Sequence, residues 1–167
     1  MDMSTRMDAG FAPARIENGR SFTIAGFGER YTQQTNKAIP ALWQRFAAQV
    51  GRVPGQVGHD TYGVCCNFDG RGGFLYIAGV EVRSPSALPV GFTWHTLAPQ
   101  RYAVFEHHGK VSGLGHTFER IWKQWLPHSG ERAADAPEFE RYGDAFDPHT
   151  ASGMVEIWIP LEPPEAR

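Results

Sequence analysis

Alternating apolar and polar residues define the strands of this chain, and the last strand is the most informative. Between Met154 and Leu161, aliphatic residues at 155, 157, 159 and 161 alternate with Met154, Glu156 and Trp158. Successive side chains of a strand point to opposite faces, so the acid and the indole share the face opposite the aliphatic residues. Such an acid either reaches water at a sheet edge or lines a pocket, where it would attract a cationic ligand.

The same pattern predicts six further strands and two helices. The strands cover residues 21–27, 62–68, 74–82, 92–96, 101–107 and 139–142, and the turn at 69–73 predicts a hairpin between the second and the third. Apolar residues at helical spacing predict one helix from Ile39 to Val50, stopped by Gly51. A second helix is predicted from Leu114 to Trp125 and ends at Pro127.

These elements repeat in the order strand, helix, strand, strand, in halves of about 21–83 and 91–162. The helix stripe Leu42-Trp43 followed by Phe46 matches Ile121-Trp122 followed by Trp125. The repeat predicts a single α+β domain over 21–162, with a mostly antiparallel sheet, both helices on one face and a ligand cleft on the other. Residues 1–20 and 163–167 are expected to be tails.

Composition excludes several classes of protein. The 167 residues carry a formal net charge of −2 and are 41% hydrophobic, which is typical of a globular domain that does not bind nucleic acid through a basic patch. No apolar stretch approaches the ~20 residues that cross a bilayer, and no signal core is visible, so we expect a cytoplasmic protein without membrane contact. The seven histidines lack metal-ligand spacing, and no cofactor is predicted.

Four segments of the second half resemble a known family. They are Arg101 to Gly109 (RYAVFEHHG), Ile121 to Gly130, Pro137 to Tyr142 (PEFERY) and Val155 to Pro160 (VEIWIP). They are similar to the gyrase-inhibitor-like (GyrI-like) effector-binding domains, which also form the ligand-sensing part of AraC- and MerR-type multidrug regulators. The resemblance covers roughly residues 20–162 and is looser in the first half.

The resemblance implies two pseudo-twofold units with a ligand cleft between them and a glutamate from the final strand in that cleft. Glu156 occupies the matching position. In the regulators this acid is associated with cationic aromatic drugs, and some stand-alone relatives resemble hydrolases that open strained cyclopropane rings. Because only about 20 residues precede the module, a helix-turn-helix domain has no room, and we expect a stand-alone module without direct DNA contact.

The predicted ligand site consists of Glu156 as charge partner and a set of residues that could line the cleft beside it. That set is Tyr62, Cys66, Phe68, Trp94, Tyr142 and Trp158. Each aromatic residue has the alternative of ordinary core packing, which we assign to Trp43, Trp122 and Trp125 on the helical stripes.

Three functions remain open at this stage. The favoured one is a binding protein that senses or sequesters planar, apolar, cationic compounds. The second is a hydrolase of reactive electrophiles, in which Glu156 would activate water and Tyr142 would hydrogen-bond the departing oxygen. The third is inhibition of a protein partner such as gyrase.

Overall fold

The computed structural model describes residues 10–164, which form one antiparallel sheet of eight strands. The strands are β1 (Arg15–Gly19), β2 (Phe22–Tyr31), β3 (Gln56–Cys66), β4 (Phe74–Val82), β5 (Thr93–Leu97), β6 (Gln100–Lys110), β7 (Glu138–Asp147) and β8 (Ser152–Leu161). Their order across the sheet is β1-β6-β8-β7-β3-β4-β2-β5. The strand order β6-β8-β7 in one half is therefore mirrored by β2-β4-β3 in the other, and β7 pairs with β3 at the centre.

Two helices connect the strands. Helix α1 (Ile39–Ala47) lies between β2 and β3, and α2 lies between β6 and β7. Helix α2 comprises an α-helical part (Leu114–Arg120), a wider π-type turn (Ile121–Trp125) and a last turn (Leu126–His128). The wider turn ends two residues before Pro127, which has no N–H to donate to the carbonyl four residues earlier. The helix thus ends just after this proline. The α+β architecture with two repeated units is confirmed.

The sheet curls until its two ends meet. The register Arg15↔Val104 to Gly19↔Gln100 between β1 and β6 continues in step as Phe22↔Leu97 to Gly26↔Thr93 between β2 and β5. Consecutive strands β1 and β2 therefore form one antiparallel ladder with consecutive strands β5 and β6. Residues 15–19, which were expected to be tail, form a strand because main-chain hydrogen bonds to β6 hold them.

Several strand boundaries also differ from the sequence-based expectation. Strand β3 was predicted over residues 62–68, but it begins earlier, at Gln56, and ends at Cys66, before Phe68. A register shift between Gln56 and Thr61 interrupts the pairing of the start of β3 with β4. Strands β4 and β8 and the turn between β3 and β4 are as predicted within two or three residues.

The core has an inner and an outer part. The inner face, away from the helices, is filled by buried side chains that contact each other across the curled sheet: Ile24, Tyr62, Val64, Cys66, Ile77, Leu97, Tyr102, Val104, Phe139 and Trp158. On the outer face, α1 and α2 each cover a separate apolar cluster. The inner face, where the cleft was expected, is thus largely occupied by packed side chains.

Across residues 10–164, no helix has both the length and the apolar character required to cross a membrane.

Candidate functional site

The centre of the outer face carries a polar cluster where β3 meets β7. Glu140 lies opposite Gly63, and Glu138 lies opposite Cys65. The Tyr76 and Tyr142 hydroxyl groups both donate hydrogen bonds to Glu140 Oε1, at 2.9 and 2.8 Å. Two phenols from different strands therefore hold one carboxylate oxygen.

Helix α1 contributes an indole to this cluster. Trp43 Nε1 donates a hydrogen bond of 2.9 Å to the Tyr76 hydroxyl, and the Trp43 ring meets the Tyr142 ring edge to face at 5.3 Å. Tyr142 also contacts Phe146 at a centroid distance of 4.9 Å. We call the residues Trp43, Tyr76, Glu138, Glu140 and Tyr142 the outer-face site. It brings together side chains from α1, from β4 in the first half and from β7 at the centre of the sheet.

Gly63 makes room for the hydrogen bond between Tyr76 and Glu140. A Cβ atom at position 63 would collide with the Tyr76 hydroxyl and stand 2.7 Å from Glu140 Oε1. Only glycine at this point of β3 leaves the phenol a direct path over the strand. The local sequence thus provides the space in which the carboxylate is bound.

The two acids of the outer-face site have unusual electrostatic surroundings. Glu138 Oε2 is buried and has no hydrogen-bond partner, and burial together with the nearby charge of Glu140 raises the pKa of Glu138 to about 7. Burial also raises the pKa of Glu140, while the hydrogen bonds from Tyr142 and Tyr76 oppose this shift. No lysine, arginine or histidine of residues 10–164 forms a salt bridge with either acid.

The neighbouring phenols and thiol stay protonated at neutral pH. Burial, followed by the charge of Glu140, raises the pKa of Tyr76 and of Tyr142 well above the ordinary value. Burial and the charge of Glu138 do the same for the Cys65 thiol. The outer-face site therefore holds negative charge on its carboxyl groups alone, surrounded by aromatic rings.

Glu156, the acid predicted from the sequence, lies on the opposite, inner face and already has cationic partners. Its Oε2 lies 3.1 Å from a guanidinium nitrogen of Arg15, and its Oε1 lies 3.9 Å from a guanidinium nitrogen of Arg141. Trp158 Nε1 donates a hydrogen bond of 3.1 Å to Glu156 Oε1, and the Arg15 guanidinium carbon lies 5.3 Å from the Trp158 ring centroid. Arg15 thus occupies the position in which a cationic ligand of Glu156 and Trp158 was expected.

A shallow concavity of about 360 Å³ adjoins Glu156. Its lining is polar for the most part and consists of Asp60, Arg141, Gly143, Asp144, Ala145, Met154 and Glu156. Arg141 Nε forms a 2.7 Å ion pair with Asp60 in this lining. This concavity is therefore polar, and Glu156 is the only predicted site residue in its lining.

The structure separates the other residues of the predicted site. Tyr62, Cys66 and Trp158 are packed in the inner core, with 7%, 1% and 4% of their surface exposed. Trp94 and Phe68 are each 50% exposed, on β5 and beyond the end of β3.

Tyr142 points to the outer face, where it contacts Trp43, whereas Glu156 faces inward. The two residues proposed to act together in hydrolysis thus lie on opposite sides of the sheet and cannot share a substrate there.

Sequence reasoning missed Trp43, Tyr76, Glu138 and Glu140. A signal for Glu140 was present, because alternation in Phe139-Glu140-Arg141-Tyr142 puts it on the same face as the predicted Tyr142, by the argument used for Glu156. No signal links that face to Tyr76 or to Trp43, which come from other elements.

Metal ligation finds no support in the part of the chain that the structure describes, since residues 10–164 contain no group of three or more His, Cys, Asp or Glu that could hold an ion. The outer-face site can bind a positive charge against a buried carboxylate, or exchange a proton near neutral pH.

Comparison with known families and proteins agrees with this architecture. A family model described as a GyrI-like small molecule binding domain matches residues 13–162. The transcriptional regulator BrlR of Pseudomonas aeruginosa is 30% identical over 152 residues, which cover 89% of this chain and 55% of BrlR. The chain thus spans about half the length of this curated relative.

Solved structures share the fold. The structure of SAV2435 bound to tetraphenylphosphonium has a TM-score of 0.72 at 24% identity and covers 89% of this chain and 93% of its own. An integron cassette protein from Vibrio cholerae has a TM-score of 0.69 at 21% identity and covers 89% and 95%. At these identities, the similarity concerns the fold alone.

Proposed function

Since the chain belongs to the GyrI-like small-molecule-binding domains, we propose that it binds lipophilic organic cations at the outer-face site, with Glu140 as the charge partner. The observation that carries the proposal is a carboxylate held by two phenols and flanked by an indole, with no salt bridge to a basic residue within 10–164. A buried charge without a counter-ion is costly. A ligand that brings the missing positive charge would offset that cost.

The aromatic residues suit a ligand of this class. Cations without N–H donors, such as phosphonium or quaternary ammonium groups, are attracted to ring faces by about 0.5–2 kcal/mol per contact. Phenyl groups on the ligand would add apolar burial at about 25 cal/mol per Å² removed from water. The lipophilic cation bound to SAV2435, a protein of the same fold, supports this ligand class.

Access to Glu140 requires a movement of α1. Trp43 lies against Tyr142 and hydrogen-bonds Tyr76, so it stands between the carboxylate and the outside of the sheet. The helix is nine residues long and is anchored by two buried side chains, Leu42 and Phe46. A displacement of α1 by the ligand would change the environment of Trp43, and this change could report binding to a partner or accompany simple sequestration.

Glu156 remains a predicted charge partner, but its surroundings favour it less. Its charge is balanced by Arg15 and Arg141, so a cationic ligand would have to displace an arginine that already contacts both Glu156 and Trp158. Comparing these two acids is therefore the sharpest test of the proposal.

The experiment measures tetraphenylphosphonium binding by calorimetry to the wild type, to Glu140→Gln and to Glu156→Gln. Gln keeps the shape of the side chain and removes its charge. We expect Glu140→Gln to lose affinity by about 10–100-fold, as for a charge-assisted contact worth about 1.5–3 kcal/mol, and Glu156→Gln to bind like the wild type. Tetraphenylborate, of the same shape and opposite charge, should not bind. The reverse order of the two variants would assign the ligand to Glu156 instead.

A second candidate function, hydrolysis of an electrophile, is favoured by one observation. Glu138 has a pKa of about 7, which suits a general acid or base at neutral pH, and it lies on the face that carries the Tyr142 hydroxyl. Incubation with a cyclopropane-bearing alkylator separates the two functions. Turnover that Glu138→Gln abolishes supports catalysis, and stoichiometric protection without product supports binding.

A further inference from the structure

We propose that Glu138 is a second, proton-exchanging acid of the outer-face site, which holds a proton in the ligand-free protein and releases it when a cation binds beside Glu140. This inference rests on the proposed function, because it concerns the same site. It makes ligand capture an exchange of one proton for one organic cation.

The geometry places the two acids in one environment. Glu138 and Glu140 are two residues apart on β7, so both side chains point to the outer face, with Cα atoms about 6.5–7 Å apart. Carboxylates this close in a poorly solvated place repel each other, which favours a state with one proton on the pair. No basic side chain of the described chain forms a salt bridge that would relieve the repulsion.

The hydrogen bonds decide which acid carries the proton. Glu140 Oε1 accepts two phenol hydrogen bonds, and such donors stabilise the ionised form. Glu138 Oε2 is buried and receives no hydrogen bond from the described residues, so an anion at Glu138 lacks the stabilisation that the two phenols give Glu140. Glu140 is therefore the resident anion, and Glu138 is the resident acid.

Among the titratable groups at this place, Glu138 is the one whose protonation state should change when a ligand binds. Glu140 faces it from its own strand, and the Cys65 thiol faces it from β3. Tyr76 and Tyr142 donate hydrogen bonds to Glu140, and burial keeps both phenols and the thiol protonated. α1 contributes the uncharged Trp43 to the site.

A bound cation changes this balance. Its positive charge next to the pair removes the repulsion that kept Glu138 neutral, and the carboxyl proton passes to the solvent. Affinity should therefore rise with pH by up to about tenfold per unit below neutrality and become constant above about pH 8. A ligand that carries two positive charges should show this dependence more strongly than one that carries a single charge.

The test counts protons. Calorimetry with tetraphenylphosphonium at about pH 6.5, in two buffers of different ionisation enthalpy, should show the wild type releasing about 0.5–0.8 proton per ligand, and close to none at about pH 8.5. Glu138→Gln should bind the cation, release no proton and have an affinity independent of pH. Glu156→Gln is the matched control and should release as many protons as the wild type.

Each outcome is informative. Binding with the same heat in both buffers overturns the proton exchange and leaves the proposed function intact, whereas absence of binding overturns both. Proton release that persists in Glu138→Gln assigns the proton to Glu140 and also overturns the inference. Infrared spectra of the ligand-free wild type provide an independent measurement, because the inference requires a protonated-carboxyl band that the cation removes.

Discussion

The replacement of Glu138 by Gln should make the stability of the protein less dependent on pH. The carboxyl has a pKa of about 7 in the folded protein, because of burial and the charge of Glu140, against an ordinary value of 4.5. The folded protein therefore favours the neutral, protonated form of this carboxyl. Between these two values the unfolded chain loses its proton first, so the free energy of unfolding falls as pH rises.

The magnitude follows from the size of the pKa shift. Each pKa unit corresponds to 1.36 kcal/mol, so the shift from 4.5 to about 7 represents a cost of about 3 kcal/mol above neutrality and none below about pH 4. Gln keeps the shape of the side chain without the ionisation. We therefore expect Glu138→Gln to match the wild type at about pH 4.5 and to be more stable at about pH 8 by up to about 3 kcal/mol.

Urea denaturation at several pH values, followed by tryptophan fluorescence, measures this difference directly. Glu162→Gln serves as a control, since Glu162 is exposed beyond the end of β8. Parallel stability curves for the wild type and Glu138→Gln between about pH 4.5 and 8 would refute the reasoning, because they would mean that the folded protein does not disfavour the Glu138 anion.

Three further predictions concern the two faces of the sheet. Glu140→Gln should weaken tetraphenylphosphonium binding by about 10–100-fold while Glu156→Gln does not, as calorimetry would show. Gly63→Ala should cost about 1–3 kcal/mol in urea denaturation and should also weaken cation binding, because the new methyl group collides with the Tyr76 hydroxyl; unchanged stability would contradict this. Arg15→Ala should cost only about 1 kcal/mol, since its contacts are partly exposed, and should leave cation affinity at the outer-face site unchanged; a gain in affinity would point to the inner face.

Most of the fold could be predicted from the sequence, because local patterns of apolar residues encode its strands and helices. The apolar runs of β4 and β8 and the helical spacing of Leu42 and Phe46 indicate directly which segments are buried. Strand β1 carries no such signal. Its residues are mostly polar and half exposed, and it is a strand only because β6 offers main-chain partners 85 or so residues later.

The candidate site shows the same division. Alternation indicated that Glu156 shares a face with Trp158, and the structure agrees. It gave no information about whether Arg15, from the opposite end of the chain, would already neutralise that acid. The same rule applied to Glu140 and Tyr142 would have identified a second pair, but not the phenol of Tyr76 or the indole of Trp43 that complete it.

By itself the sequence determined the class of fold, the repeat, most strands and the face on which each strand residue lies, since these depend on the period of neighbouring residues. Tertiary structure alone decided which acid has a cationic partner and which does not. That outcome depends on how the curled sheet brings β1 to β8 and α1 to β7. Ionic contacts between segments distant in the chain leave no periodic trace in the residues that make them.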